Sequence, residues 1–249
     1  MNRIKASLSH FLLSVSIFSI VIFVLIFYWF PAPYFNAGGG WQGLKIVAGV
    51  DLVLGPLLTL IIFDIKKTRT KLVGDLIVIA ALQFSALAWG VTTIYNQRPV
   101  AVVFFEQSFL TVPAESLTKQ GVDISSLKQF SDISPPLIYA KKPKDIEELM
   151  LMAKLSAEQA LPPHHQINLY RSLAQNYDDV RTYQVDINQI ITANNEMKSD
   201  LMVILSESNT TITDYDYFPL RSKYYTIILM FTHDGELVNH IVVPLRKPS

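Results

Sequence analysis

IVAGVDLVLGPLLTLIIFD, residues 46–64, is long enough to cross a bilayer, since about 20 apolar residues rising about 1.5 Å each span a hydrocarbon core of about 30 Å. Yet the stretch carries an acid, Asp51, well inside, and a Gly55-Pro56 pair near its middle. An ionised carboxylate there costs roughly 2.5–3.5 kcal/mol even on lenient insertion scales. A proline there removes a backbone donor and collides with the preceding turn. Apolar flanks this strong can carry both across. Insertion would be easier without either, so both read as features serving contact with another helix.

Two further apolar runs, Leu8–Phe30 and Leu76–Ile94, stand on either side, and the central run extends over Leu44–Phe63. Half of the 249 residues are apolar and only 17% are charged, but beyond Asn96 the composition becomes ordinary. The sequence therefore predicts a membrane domain over 1–96, with transmembrane helices at about 8–30, 44–63 and 75–95, and a second domain over 97–249 large enough for its own core. The zero net charge hides an asymmetry: seven Lys and Arg against three acids through Asn96, then 14 against 18. A mildly acidic soluble domain argues against nucleic acid as a partner, because phosphate binding needs a basic face. With no cysteine in the chain, disulfides, thiolate zinc sites, iron–sulfur clusters and Cys nucleophiles drop out together.

The first run is longer than the roughly 7–15 residues of a signal-peptide core. Phe35 also occupies a position that would have to be small for cleavage after Ala37. An uncleaved anchor is expected. Arg3 and Lys5 precede the first helix, residues 31–43 carry no charge, and Lys66, Lys67, Arg69 and Lys71 join helices two and three. Basic short loops stay cytoplasmic, so the N-terminus is expected inside and everything after Asn96 outside, in the periplasm if the membrane is a bacterial inner membrane. Tyr28, Trp29, Tyr34, Trp41, Trp89 and Tyr95 all fall at the outer ends, where amphipathic rings favour the interface.

Ala48, Asp51, Gly55 and Thr59 recur at three- and four-residue steps, a small and polar stripe of the kind used for close packing in lipid. Pro56 adjoins it, and helix three offers small residues and one deep amide, Gln83. These are the candidate intramembrane contact residues. Asp51 could hydrogen-bond Gln83 or a serine of helix one (Ser14, Ser16, Ser19); the stripe could instead receive another protein's helix. Three helices and one acid are a thin basis for ion transport.

Beyond the membrane, Val100–Phe105 reads as a buried strand, with Phe109–Val112 and Leu137–Ala140 as further ones. Lys144–Ala160 has helical spacing, with Ile146, Leu149, Met150, Ala153 and Ala157 on the expected core face. Gln166–Asn176 and Val185–Ala193 are further helical candidates, while 188–200 and 206–216 carry no clear signal. Tyr224–Thr232 and Glu236–Val243 flank Asp234-Gly235, a hairpin turn. The fold class is α+β: a three-helix transmembrane bundle followed by a mixed α+β extracytoplasmic domain.

Catalytic, cofactor and metal sites find no support. His164 and His165 are adjacent and lack the i, i+4 geometry of a zinc helix, and no GxSxG elbow or phosphate loop occurs. Asp214-Tyr215-Asp216 could hold a divalent cation with a nucleotide diphosphate. The expected topology puts it outside the cytoplasm, away from nucleotide sugars, and a solvated loop is the simpler reading. No enzyme and no cofactor are expected.

The opening NRIKASLSHFLLS, the loop YWFPAPYF, the run GVDLVLGPLLTLIIFD followed shortly by KK, and YNQRPVAVVF after the membrane resemble the type IV pilin accessory proteins. The likeness is strongest over Asn2–Phe105. It implies a non-enzymatic inner-membrane helper for a cognate type IV pilin, affecting pilin stability, pilus assembly or surface display. Its partners would be that pilin and membrane lipid. The alternative is a pilin-modifying membrane enzyme such as a glycosyltransferase. The matching positions are Asp51, Gly55 and Pro56, with Arg98 and Pro99 at the outer boundary.

Overall fold

The computed structural model describes residues 3–38, 40–64, 66–222 and 224–245. Two compact units divide the chain, one of Met1–Phe35 with Gly40–Gln97, the other of Arg98–Ser249 with Asn36–Gly39.

The first unit contains three helices long and apolar enough to cross a membrane, Arg3–Trp29, Gly43–Ile62 and Arg69–Asn96. Helix α1 runs from Arg3 to Val24 and finishes in a π-helical turn, Leu25–Trp29. Helix α2 has three parts: Gly40–Ala48, a π-helical turn over Gly49–Leu54, and Gly55–Ile62. Helix α3 is Arg69–Asn96 and begins six residues before the range expected from hydropathy, with Arg69, Lys71 and Asp75 in its first turns. Helical geometry continues past the apolar run because basic side chains at the boundary are solvated.

The π-turn has a local cause. Pro56 cannot donate to the carbonyl four residues back, and its ring would strike that carbonyl. The ladder widens just before it, and Gly55 N–H bonds the carbonyl of Val50, a π-type bond that relieves the clash.

The helices alternate in direction. At one end Arg3 pairs with Asp64 at 3.2 Å and Lys67 with Asp75 at 2.6 Å. Lys67 Nζ also caps α2 through the carbonyl of Ile62. At the other end Leu25, Phe30, Phe35 and Leu44 form an apolar cluster, and the rings of Trp29 and Tyr95 meet at 4.8 Å.

The second unit is built on a seven-stranded mixed sheet, order β4-β3-β1-β2-β5-β6-β7. Its strands are β1 (Pro99–Phe105), β2 (Ser108–Pro113), β3 (Leu137–Ala140), β4 (Tyr170–Ser172), β5 (Asp216–Leu220), β6 (Tyr225–Phe231) and β7 (Leu237–Pro244). β1 runs parallel to β3, and β2 to β5; the other neighbours are antiparallel. Its helices are α4 (Ala114–Thr118), α5 (Ile146–Glu158), α6 (Tyr177–Arg181), α7 (Ile187–Ala193) and α8 (Asn195–Ser208).

Side chains alternate between sheet faces, and both faces are buried. On one, Ala101, Val103, Val112 and Ile138 pack with Leu117 of α4, while Tyr217, Ile228, Met230 and Ile241 pack with Ile187, Met197, Leu201 and Leu205 of α7 and α8. On the other, Phe104, Phe109, Phe218 and Phe231 meet at centroid distances of 5.1–5.9 Å. Each such ring pair contributes about 0.5–1.5 kcal/mol beyond burial.

Two expectations need correction. Gln166–Asn176 is not a helix but two 3₁₀ turns around β4. Pairing of Tyr170–Ser172 with β3 supplies the backbone bonds that a helix would have made, and this overrides local spacing. Of the expected core face of α5 only Leu149 turns inward: Ile146 and Met150 are 67% and 65% exposed, Ala153 and Ala157 are exposed too, and the inner face is Leu149, Met152, Leu155 and Ser156. Asp145 caps the helix through Glu147 N and Glu148 N, so the cap fixes where the helix starts while the sheet selects which side it buries. The 188–200 stretch, unreadable in sequence, leads into α8, capped by Asn194 and closed by Asn209 at φ +53°.

Candidate functional site

The membrane unit gathers the polar residues of all three helices on one level. Thr59, 2% exposed, donates its hydroxyl to the carbonyl of Gly55 at 3.0 Å. Its single proton is thereby used, so the 2.6 Å contact with His10 Nδ1 has the imidazole donating. In neutral imidazole the other nitrogen, Nε2, is then an acceptor. One turn away Ser7 donates to the carbonyl of Pro56 at 2.8 Å.

Gly55 is buried, and a Cβ built on it would run into the side-chain amide of Gln83. Glycine here lets α3 bring its one deep amide against the backbone of α2, the close approach for which small residues are used in lipid. Pro56 is buried beside it, and Ala48 is half-buried in the first part of α2.

Asp51 lies in the π-turn and is only 6% exposed. It lines a cleft of about 230 Å³ with His10, Leu13, Ser14, Ile17, Ala80, Gln83, Phe84 and Leu87. The expected hydrogen bond from Asp51 to Gln83 or to a serine of helix one is not formed among the described residues. Ser16 and Ser19 bond carbonyls of their own helix, Leu12 and Val15. Ser14 and Gln83 share the cleft lining with Asp51 instead.

Of the expected contact residues, Asp51, Gly55, Pro56, Thr59 and Gln83 thus converge with Ser14, one of the expected helix-one serines, and Ser7 and His10 join them unforeseen. Ser7, His10 and Ser14 follow one another at steps of three and four, which places them on one helix face. That polar stripe was legible in an otherwise apolar run.

Arg98 and Pro99 are in the second unit. The Arg98 carbonyl accepts from Ala114 N at 3.0 Å, and Pro99 is the first residue of β1, opposite Pro113. A strand's first position tolerates a missing donor.

Asp214-Tyr215-Asp216 is a solvated turn only at its start, where Asp214 is exposed, and runs into a strand at buried Asp216. Asp214 closes a capping box with Thr211, accepting from its N–H at 2.7 Å and its hydroxyl at 2.9 Å. The Thr211 amide, then the hydroxyl, hold its carboxyl below the usual range. Asp216 opens β5, is 1% exposed, and meets Arg181 Nε, Tyr177 Oη and His233 Nδ1, each at 3.0 Å. Burial, then Asp216, pushes the Tyr177 hydroxyl upward. Both carboxylates are occupied in structural bonds.

No family model matches the chain, and no solved structure matches it. Among curated proteins it is 26% identical over 232 residues to the fimbrial assembly protein, serogroup I, of Dichelobacter nodosus, which is 90% of either chain. The same organism's fimbrial assembly protein of serogroups C1 and C2 is 37% identical over 100 residues, covering 40% of this chain and 76% of that one. The serogroup E1 protein is also 37% identical over 100 residues, covering 39% of its length. With its apolar helices and these relatives, the chain belongs to the fimbrial assembly protein family.

Proposed function

We propose that this chain is a non-enzymatic membrane helper in pilus assembly that attends a cognate type IV pilin before it is built into the fibre. The likeness to fimbrial assembly proteins over 90% of both chains carries the reading, and the three apolar helices support it. The basic residues flanking α1 and joining α2 to α3 favour a cytoplasmic N-terminus and a periplasmic second unit in the inner membrane.

The physics of the task suits that layout. A pilin awaiting assembly is a hydrophobic helix in the membrane carrying a globular head outside it. A helper with a bundle in the lipid and a folded unit on the head's side can hold both parts at once. Two weak contacts tethered in this way reinforce each other through effective concentration. The polar residues on α2 serve the membrane contact, and the sheet domain serves the head.

Deletion of the gene in its native strain, with total and surface pilin measured separately, tests this. Surface pilin is expected to fall with pilin mass unchanged. Loss of a mass increment on the pilin would instead mark a modifying enzyme, and unaltered surface and total pilin would overturn the reading.

A further inference from the structure

The cleft beside Asp51 is built and only partly satisfied. Asp51 stands near the middle of the Gly43–Ile62 span, is 94% buried, and has no hydrogen bond to its carboxyl among the described residues. Nearby, Thr59 is paired with Gly55 and His10 and Ser7 with Pro56, while Ser14 and Gln83 line the same cleft without a hydrogen bond to Asp51 among the described residues. At that depth an acyl chain cannot hydrogen-bond, so a polar group left without a partner is unfavourable.

The lining says what partner would fit. The cleft carries two donors of its own, the Ser14 hydroxyl and the Gln83 amide N–H, beside the acceptors Gln83 Oε1 and, in neutral imidazole, His10 Nε2; the Asp51 carboxyl, which bonds neither donor among the described residues, is the group that an added donor would satisfy. At about 230 Å³ the cleft falls below the roughly 300–1,000 Å³ of sites for free ligands. It has room for a side chain. Around it Leu13, Ile17 and Phe84, 61%, 39% and 73% exposed, present an apolar rim suited to a helix lying in lipid.

We propose that this cleft receives one donor-bearing side chain, cationic, hydroxyl or amide, from the transmembrane helix of the cognate pilin, which lies along the Leu13–Phe84 rim. The inference rests on the functional reading above and moves the contact: Gly55 and Thr59 face the bundle's own helices, and only the Asp51 end of the α2 stripe is open to a partner.

The absence of cysteine makes disulfide mapping clean. Leu13→Cys and Phe84→Cys in the full chain are paired with single cysteines along the pilin helix, the two proteins co-expressed in membranes. Ile61→Cys, 63% exposed and outside the cleft lining, is the control. Coupling is expected from both rim positions to one face of the pilin helix. Asp51→Ala should lower the yield roughly threefold to tenfold, the effect of losing one interhelical polar contact, while Asp51→Glu retains most of it. Should the Asp51 variants fail to accumulate, the same drop is sought by replacing each donor on the pilin helix against the unaltered cleft.

Equal coupling from Ile61→Cys, coupling only to a second copy of this chain, or no sensitivity to any pilin donor would overturn the cleft. With a deletion phenotype intact, such a result leaves the helper reading standing. Loss of the deletion phenotype itself would remove that reading instead.

Discussion

Gly55 and Gln83 meet because a hydrogen stands where a methyl would be, and the amide of α3 rests against the backbone of α2. Gly55→Ala is expected to cost about 1 kcal/mol, the low end for overpacking, since the displaced group is the mobile end of a side chain. Gln83→Ala in the same chain should recover most of that loss. Thermal unfolding of the four chains of the cycle in detergent checks it; additive losses would show that the two positions do not touch.

Thr59 and His10 make a second such test. Thr59→Val keeps the shape but removes the acceptor for the imidazole and the donor to Gly55. A loss of about 1–2 kcal/mol is expected, with His10→Leu adding little on top. Unfolding in detergent measures it, and a fully additive His10→Leu would argue against the bond.

In the sheet domain Arg181 is the main countercharge of buried Asp216. Breaking a buried pair costs about 3–5 kcal/mol, but Arg181 is partly exposed and Tyr177 and His233 still face the acid. Arg181→Met should therefore cost about 2 kcal/mol. The double change with Asp216→Asn should cost less than the single one. A urea midpoint on the full chain would show the order reversed if Asp216 were not charged.

Acid should weaken this domain in a defined window. Burial holds both His164 and His165 down to about 4 from an ordinary 6.5, and lowers His240 in the same direction. The unfolded chain then binds more protons between these values, so stability is full above about 6.5 and lost as pH falls toward 4. His165 also bonds Ser116 at 2.7 Å. Melting temperature followed from pH 7 to 4.5 should drop, and His164→Gln with His165→Gln should flatten the drop. A wild-type profile that stays level would contradict the burial of these rings.

Gly235 has φ +87°, and a Cβ there would press on the Tyr177 ring. Gly235→Ala should destabilise by more than 1 kcal/mol, because turn strain and ring contact act together. By contrast Met150→Lys, on the exposed side of α5, should change stability by no more than about 0.5 kcal/mol. Chemical unfolding of both variants separates the turn from the surface.

Sequence alone determined the membrane unit, because the demands of lipid are written residue by residue. A helix must be apolar for its full length, its basic ends stay in water, and every polar intruder stands out, as Asp51, Gly55-Pro56 and Gln83 did. The terminal hairpin was equally legible, since Asp234-Gly235 needs a backbone that few other pairs allow. What only the tertiary structure decided were choices between partners. Local spacing made Ile146 and Met150 as good a core face as Leu149 and Met152, and the sheet chose the latter. Within Gln166–Asn176, Tyr170–Ser172 became a strand because β3 offered it hydrogen bonds, and Asp216 was buried where Arg181, 35 residues away, came to meet it. The same holds in the membrane: Ser7 and Ser14 were visible, but only packing showed that His10 spends its proton on Thr59 and leaves Asp51 facing an open cleft.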